Sequence, residues 1–286
     1  MKIYGCRAQL IGDSIMALPI LNYLERLYPN SFKYWSIAKK VSQCLPLFIN
    51  HPLINQIHVT SGEEGPEGKD FELINKCDLI INVNPQHPDN RFPNEFDIYS
   101  ETWRMAGFPV EEYHNLTPEE QRPRLTKWFN ITKYPKTIAI FPFAGYAREP
   151  KRSPSRHWYV KVLFPELYKM GYSIFHFGHE AEPTLDYESR DKKYLRFTHL
   201  PLFDQIKMAN GCECTIGTNS GTSLIMGAYE VPQISLLSYQ DWPGHYQNPF
   251  AMATNNPNNI SIHNINSCDD IQVDEVLNAI KLLGVE

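Results

Sequence analysis

No apolar run in this 286-residue sequence approaches the ~20 residues that a helix needs to cross a bilayer. The opening, Met1-Lys2-Ile3-Tyr4-Gly5-Cys6-Arg7, has no apolar core of the signal-peptide kind. A soluble, cytoplasmic chain without a transmembrane segment is expected, with membrane contact limited to the periphery. Positive charge is also short, at 27 Lys and Arg against 32 Asp and Glu, so the net charge is -5 and no basic field attracts nucleic acid. Six scattered cysteines (Cys6, Cys44, Cys77, Cys212, Cys214, Cys268) make no disulfide framework. Their one close pair, Cys212 and Cys214, falls on one face of a strand and reads as core rather than as a zinc site. No Gly-x-Gly-x-x-Gly follows the first strand, which argues against a dinucleotide-dependent oxidoreductase. Glycosylation-type triplets at Asn115, Asn130 and Asn259 read as turn chemistry in a chain with no secretory route.

What is present is an anion cradle. An apolar stretch ending at Thr215-Ile216 runs into Gly217-Thr218-Asn219-Ser220-Gly221-Thr222-Ser223, and a helical pattern follows through Leu224, Ile225, Met226, Ala228 and Tyr229. Small residues at a helix N-terminus expose backbone N–H groups where the helix dipole also favours negative charge. Earlier in the same half, Arg148-Glu149-Pro150-Lys151-Arg152-Ser153-Pro154 offers counter-charge. Parallel-sheet folds bring successive strand C-termini to one edge, so the two loops together point to a diphosphate ligand.

Strands alternate with helices twice over. The first half reads as strands at 3–6 and 9–11, a helix carrying Ile20, Leu21, Leu24 and Leu27, a strand at 33–37, a short helix at 42–49, strands at 56–60 and 78–83, and a helix at 98–106. After Tyr134-Pro135 the rhythm restarts with a strand at 137–141, a helix at 157–169 stopped by Gly171, and strands at 172–177 and 195–197. A helix at 203–209, a strand at 213–216, the cradle helix, a strand at 231–237 and a last helix at 273–283 complete it. The expected organisation is two α/β domains, 1–133 and 134–286, facing a central cleft, with the last helix free to pack back on the first domain. The aromatic segment from Tyr239 to Tyr246 reads equally as cleft lining or as surface.

Near the N-terminus, Gly12-Asp13-Ser14 stands between a predicted strand and a predicted helix, followed by Leu18-Pro19 and, at the helix end, Tyr28-Pro29. An aspartate there is also an ordinary helix cap. This opening resembles that of the bacterial ADP-heptose:lipopolysaccharide heptosyltransferases, which are GT-B glycosyltransferases. The resemblance continues through Ile140-Phe141-Pro142-Phe143-Ala144-Gly145, through Lys151-Arg152-Ser153-Pro154 with Trp158, through Phe177-Gly178-His179-Glu180, and through the cradle with Val231-Pro232 after it. It implies a GT-B fold of two Rossmann-like α/β/α domains. Three positions depart from the family pattern: Asn219 stands where an aspartate is usual, Leu224 where a histidine is, and Ser153 where the tryptophan of the lysine motif is.

The resemblance further implies inverting transfer of a sugar, hexosyl or heptosyl, from a nucleotide diphosphate donor to a hydroxyl of a glycan or glycolipid acceptor. Asp13 would be the base, with Gly12 and Ser14 on the acceptor side. Lys151 would neutralise the departing diphosphate, with Arg148 and Arg152 beside it, and Ser220, Gly221, Thr222 and Ser223 would hold other phosphate oxygens. Gly178, His179, Glu180 and Asn219 would meet the nucleoside or sugar. The sequence has no Asp-x-Asp pair of the kind that holds Mg²⁺ or Mn²⁺ on a diphosphate, so a metal-free scheme with no cofactor beyond the nucleotide-sugar co-substrate is expected. Retention of Asp13 and Lys151 favours an enzyme; the Asn219 and Leu224 departures favour a degenerate GT-B module that binds nucleotide or glycan without turnover.

Overall fold

Short apolar runs bounded by Gly, Asn or Pro form the strands, and every strand ladder is parallel. Parallel neighbours need crossovers, so helices must cover the sheet faces. The computed structural model of the chain describes residues 1–6, 11–63, 65–82, 103, 106–143, 153–185, 193–218, 220–238, 256–264 and 266–285, with the backbone alone of Cys6, Asp13 and Val110. It divides into two compact units, Met1–Trp128 and Phe129–Glu286.

In the first unit, strands β1 (Lys2–Cys6), β2 (Phe32–Ile37), β3 (Gln56–Val59) and β4 (Leu79–Asn82) form a sheet in the order β3-β2-β1-β4. Chain direction across the sheet reverses at β1, whose neighbours are the second and the fourth strands. Gly5 of β1 is where Trp35 of β2 packs: a Cβ on Gly5 would stand 2.8 Å from the indole. Helices α1 (Ile11–Met16), α2 (Ile20–Leu27), α3 (Leu45–Phe48), α4 (Asp70–Ile74) and α5 (Val110–His114) intervene or follow. Buried Ile20, Leu21, Tyr23 and Leu24 give α2 its core face.

The structure corrects two readings here. Ile11 opens helix α1 rather than ending a strand, so Gly12 and Asp13 lie in its first turn. Ile11, Ile15 and Leu18 repeat at helical spacing, and that period outweighs the β-branched content. Leu27 closes α2 but is 43% exposed, because the chain turns out of helical geometry at Tyr28 and leaves it beyond the core face. Of the helix expected at 98–106, the described residues include Trp103, which is helical and fully buried, and Ala106.

The second unit holds β5 (Tyr134–Phe141), β6 (Ser173–His176), β7 (Tyr194–Arg196), β8 (Cys212–Thr218), β9 (Gln233–Ser238) and β10 (Asn259–Asn264), in the order β10-β9-β8-β5-β6-β7. This is the doubly wound order of a dinucleotide-binding fold, with its switch between β5 and β8. One face packs Ile138, Ile140, Cys214, Ile216, Ile234 and Leu236 under Trp158, Leu163 and Phe164 and under the last helix, α9 (Val273–Leu282), which contributes Val276, Ala279 and Ile280. Helices α7 (Leu202–Ala209) and α8 (Gly221–Ala228) pack against β8, and α8 also against β9.

The helix read at 157–169 forms with a change of pitch: Trp158–Leu163 is a π turn, and α6 (Phe164–Lys169) is regular. Pro165 explains it, since its ring crowds the carbonyl one turn back and it has no N–H to donate there. Gly171, at φ +86, ends α6 as expected: its N–H donates to the Tyr168 carbonyl at 3.0 Å and that of Tyr172 to Leu167 at 3.0 Å. Strand β10 went unread because its asparagines look like turn residues. Asn259 instead starts an edge strand, where its side chain accepts from the Ser235 hydroxyl at 2.8 Å and donates to that of Ser261 at 3.0 Å.

Candidate functional site

In open α/β sheets the ligand crevice lies beyond the C-terminal strand ends, at the switch of direction. In the second unit three adjacent strands, β8, β5 and β6, end level with one another, Phe141 opposite Gly217 and Ile140 opposite His176. The loops that follow them carry the residues expected at the donor side.

After β8 comes the cradle. Ser220 is the N-cap of α8, in extended geometry, and its hydroxyl accepts the Ser223 N–H at 3.3 Å and meets the Thr222 hydroxyl at 2.8 Å. Ser223 donates its own hydroxyl back to the Thr218 carbonyl at 2.5 Å, which closes the turn. Gly217 makes room for this: a Cβ there would lie 2.8 Å from the Ser223 hydroxyl. Ser220, Gly221 and Thr222 are half-buried, Ser223 is buried, and the first-turn N–H groups of a helix have no intrahelical acceptor. Among the described residues the buried Thr218 hydroxyl also has no partner. The arrangement can hold phosphate oxygens through backbone donors, hydroxyls and the helix dipole. Leu224, at 6% exposure, belongs to the core instead.

After β5, the Pro142 carbonyl accepts from the Tyr159 hydroxyl at 3.3 Å. Burial, then the nearby Cys268, Glu182 and Asp269, pushes that phenol well above its ordinary range, so it stays a neutral donor. The far root of the same loop is also fixed. The Ser155 N–H donates to an Asp269 carboxylate oxygen at 2.5 Å, the Ser155 hydroxyl accepts the Trp158 N–H at 3.2 Å, and the Trp158 indole donates to the Ile271 carbonyl at 3.1 Å. Trp158 is therefore core, at 3% exposure. Arg148, Lys151 and Arg152, between these roots, and Asn219 in the cradle lie outside the described residues.

After β6, Gly178 leads into exposed His179 and Glu180. The His179 Nδ1 accepts the Ala181 N–H at 3.1 Å. Three residues that sequence reasoning passed over hold this turn: Glu182, Arg196 and Gln205. Gln205 had a legible signal, a polar residue on the apolar stripe Leu202, Ile206, Ala209 of α7. Glu182 and Arg196 had none. In the first unit, Gly12-Asp13-Ser14 follows the end of β1, where that sheet also switches direction; Gly12 and Ser14 are buried. Tyr239 to Tyr246 lies outside the described residues.

Neither protein-family models nor curated proteins give a match to the chain. Solved structures do. The Escherichia coli ADP-heptose lipopolysaccharide heptosyltransferase II is 16% identical with a TM-score of 0.67, over 99% of this chain and 98% of that one. A family 9 glycosyltransferase from Veillonella parvula is 15% identical with a TM-score of 0.69, over 99% and 96%. The iron-containing dodecameric glycosyltransferase TibC of enterotoxigenic E. coli is 12% identical with a TM-score of 0.58, over 94% of this chain and 65% of that one. The fold is thus that of the GT-B heptosyltransferases, as the motifs implied.

Proposed function

We propose that the chain is a nucleotide-sugar glycosyltransferase, inverting and metal-independent, of heptosyltransferase type. The observation that carries the reading is the Ser220-capped N-terminus of α8, set at the switch point between β5 and β8 and lined by hydroxyls. The fold likeness supports the same substrate class. In the proposed step the acceptor hydroxyl oxygen attacks the anomeric carbon from the face opposite the diphosphate. The bond from that carbon to the diphosphate oxygen breaks with its electron pair, and Asp13 takes the hydroxyl proton. An aspartate with an ordinary pKa near 3.9 is a weak base for an alcohol, so the proton moves late, once attack on the oxocarbenium-like centre has acidified it. Lys151, with Arg148 and Arg152 as helpers, and the cradle donors at Ser220, Gly221, Thr222 and Ser223 take up the charge of the leaving diphosphate. Gly178, His179, Glu180 and Asn219 meet the nucleoside or sugar.

A panel of ADP, UDP, GDP, CMP and dTDP in thermal melts tests the donor class, because a ligand bound only by the folded chain raises its melting temperature. One diphosphate is expected to stabilise the chain selectively, and its sugar conjugate to be hydrolysed as well with EDTA as without. Loss of hydrolysis in EDTA, restored by a divalent ion, would remove the metal-free part. A second reading, a binding module without turnover, draws on Leu224, whose apolar burial leaves no polar group where the family usually carries histidine. Stabilisation by nucleotide without hydrolysis of any conjugate would favour it.

A further inference from the structure

The backbone passes between the two units once, at the Trp128–Phe129 peptide, and the last helix, α9, packs into the core of the second unit. Up to that peptide the chain is held to the first unit. The buried His51 ring hydrogen-bonds the backbone of Arg124, Leu125 is 7% exposed, and the Trp128 indole donates to the Pro46 carbonyl of α3 at 3.0 Å. Beyond it the chain is held to the second unit. The Phe129 ring meets two rings edge-to-face, Phe203 of α7 at 5.4 Å and Tyr229 after α8 at 5.6 Å. Thr132 then lies on Gly211, where a Cβ would stand 1.9 Å from the Thr132 carbonyl oxygen, and the Tyr134 N–H donates to the Gly211 carbonyl at 2.9 Å.

A flexible connection between two units needs residues that are fixed to neither, and its reach grows with their number. Here the anchored residues are consecutive, so no such residue intervenes. The peptide group itself is stiff, which leaves ψ of Trp128 and φ of Phe129 as the soft coordinates of the junction. The chain bends at Phe129. Hinges are a few positions that absorb a change in φ and ψ while the elements on either side keep their packing. Side chains that grip opposite units from adjacent positions confine that change to one place.

We propose that the Trp128–Phe129 peptide is a two-torsion pivot on which the units turn, with the Trp128 indole and the Phe129 ring as its anchors. A tether would let the units drift apart, whereas this junction lets them rotate without separating. The role goes beyond the glycosyltransferase reading and does not depend on it, since every contact used lies inside one unit or the other. The test is a spin-label distance in the full chain, read by pulsed electron paramagnetic resonance. The labels sit at exposed positions, Glu111→Cys on α5 and Lys169→Cys on α6, with Cys6→Ser and Cys77→Ser because the remaining thiols are buried.

A Gly-Gly insertion between Trp128 and Phe129 adds up to about 7 Å of slack and is expected to broaden the distance distribution by a comparable amount. Phe129→Ala and Trp128→Ala should each broaden it less, because Thr132 and Leu125 still hold the chain. Both side chains are partly exposed, so both variants are expected to fold, with the melting temperature as the check. Distances that ignore the insertion would mean that something other than the junction fixes the units, which overturns the pivot. An unaltered junction already as broad as the insertion would be a tether and overturns it equally. Alanine variants as narrow as their parent would remove the two rings as anchors.

Discussion

The two sheets share one topology at their centres and, among the described residues, carry their polar ties on different strands of it. In the second unit the polar ties gather at the C-terminal strand ends: Tyr159 on Pro142, Asp269 on Ser155, Gln205 on Gly178, Ser220 on Ser223. In the first unit the described network lies on the sheet's flank. The Tyr4 hydroxyl of β1 reaches across β2 to His58 Nδ1 at 2.7 Å, His58 Nε2 meets Asp70 at 3.2 Å, and Asp70 accepts from the N–H groups of Ser61 at 2.7 Å and Glu67 at 2.8 Å. The second unit's ties fix the loops after β5, β6 and β8, and the first unit's fix its strands, the loop after β3 and the start of α4. Buried hydrogen bonds fix backbone direction, and among the described residues those of the second unit do so in the loops beside its switch point.

The largest test of that contrast is catalytic. Asp13→Asn is expected to lower transfer by about 10²–10⁴-fold with nucleotide affinity unchanged, as for loss of a general base. Lys151→Ala should lower transfer by about 10²–10³-fold and weaken nucleotide binding as well. Equal effects of the two on nucleotide Kd would erase the division of labour between the units.

Gly217→Ala comes next. Its Cβ would meet the Ser223 hydroxyl at 2.8 Å and Phe141 at 3.3 Å, so overpacking is expected to cost about 1–3 kcal/mol and to weaken nucleotide binding, by denaturant titration and calorimetry. Full affinity in this variant would show that the cradle tolerates a displaced cap.

Acid sharpens the comparison from the other side. Burial pushes His51 down to about 4, against a hydrogen bond at the backbone of Arg124 that raises it. The unfolded histidine takes its proton near 6.5, so this contribution is whole above that pH and is lost as pH falls toward about 4. Burial also raises Asp70, but hydrogen bonds from Glu67 and Ser61 and the nearby His58 outweigh it and leave the carboxyl below its usual value. Its contribution is whole above the ordinary carboxylate range and is lost as pH falls through the lowered value. Urea melts between pH 7 and pH 4.5 should therefore show first-unit stability falling by at most about 1.4 kcal/mol per pH unit, a slope flattened in His51→Gln. An unchanged slope in that variant would assign the acid sensitivity elsewhere.

The smallest expected effect is Ser220→Ala. It removes the cap of α8 and should cost about 1 kcal/mol, with a parallel loss of nucleotide affinity. Loss of stability without loss of affinity would make Ser220 a cap and nothing more.

Much of this was legible. The helix stop at Gly171, the small-residue loop at the start of α8 and the core place of Cys212 and Cys214 follow from signals within a few residues. Local signals failed where a neighbour decided. Ile11 looked like a strand residue until its helical partners were counted, and Asn259 looked like a turn until β9 lay beside it. Gln205 and Arg196 act on residues that stand 27 and 14 positions away in the chain, at Gly178 and Glu182, and no periodicity carries that information.

By itself the sequence determined the alternation of strand and helix, the parallel architecture that this alternation forces, and the small hydroxyl-rich loop before α8, because periodicity, capping and turn preferences act over a few residues. Tertiary structure alone decided that the acid at position 182 and the amide at position 205 are buried against one glycine. Burial and the pairing of distant polar groups depend on which strands become neighbours, and the chain acquires those neighbours only when the sheet closes around them.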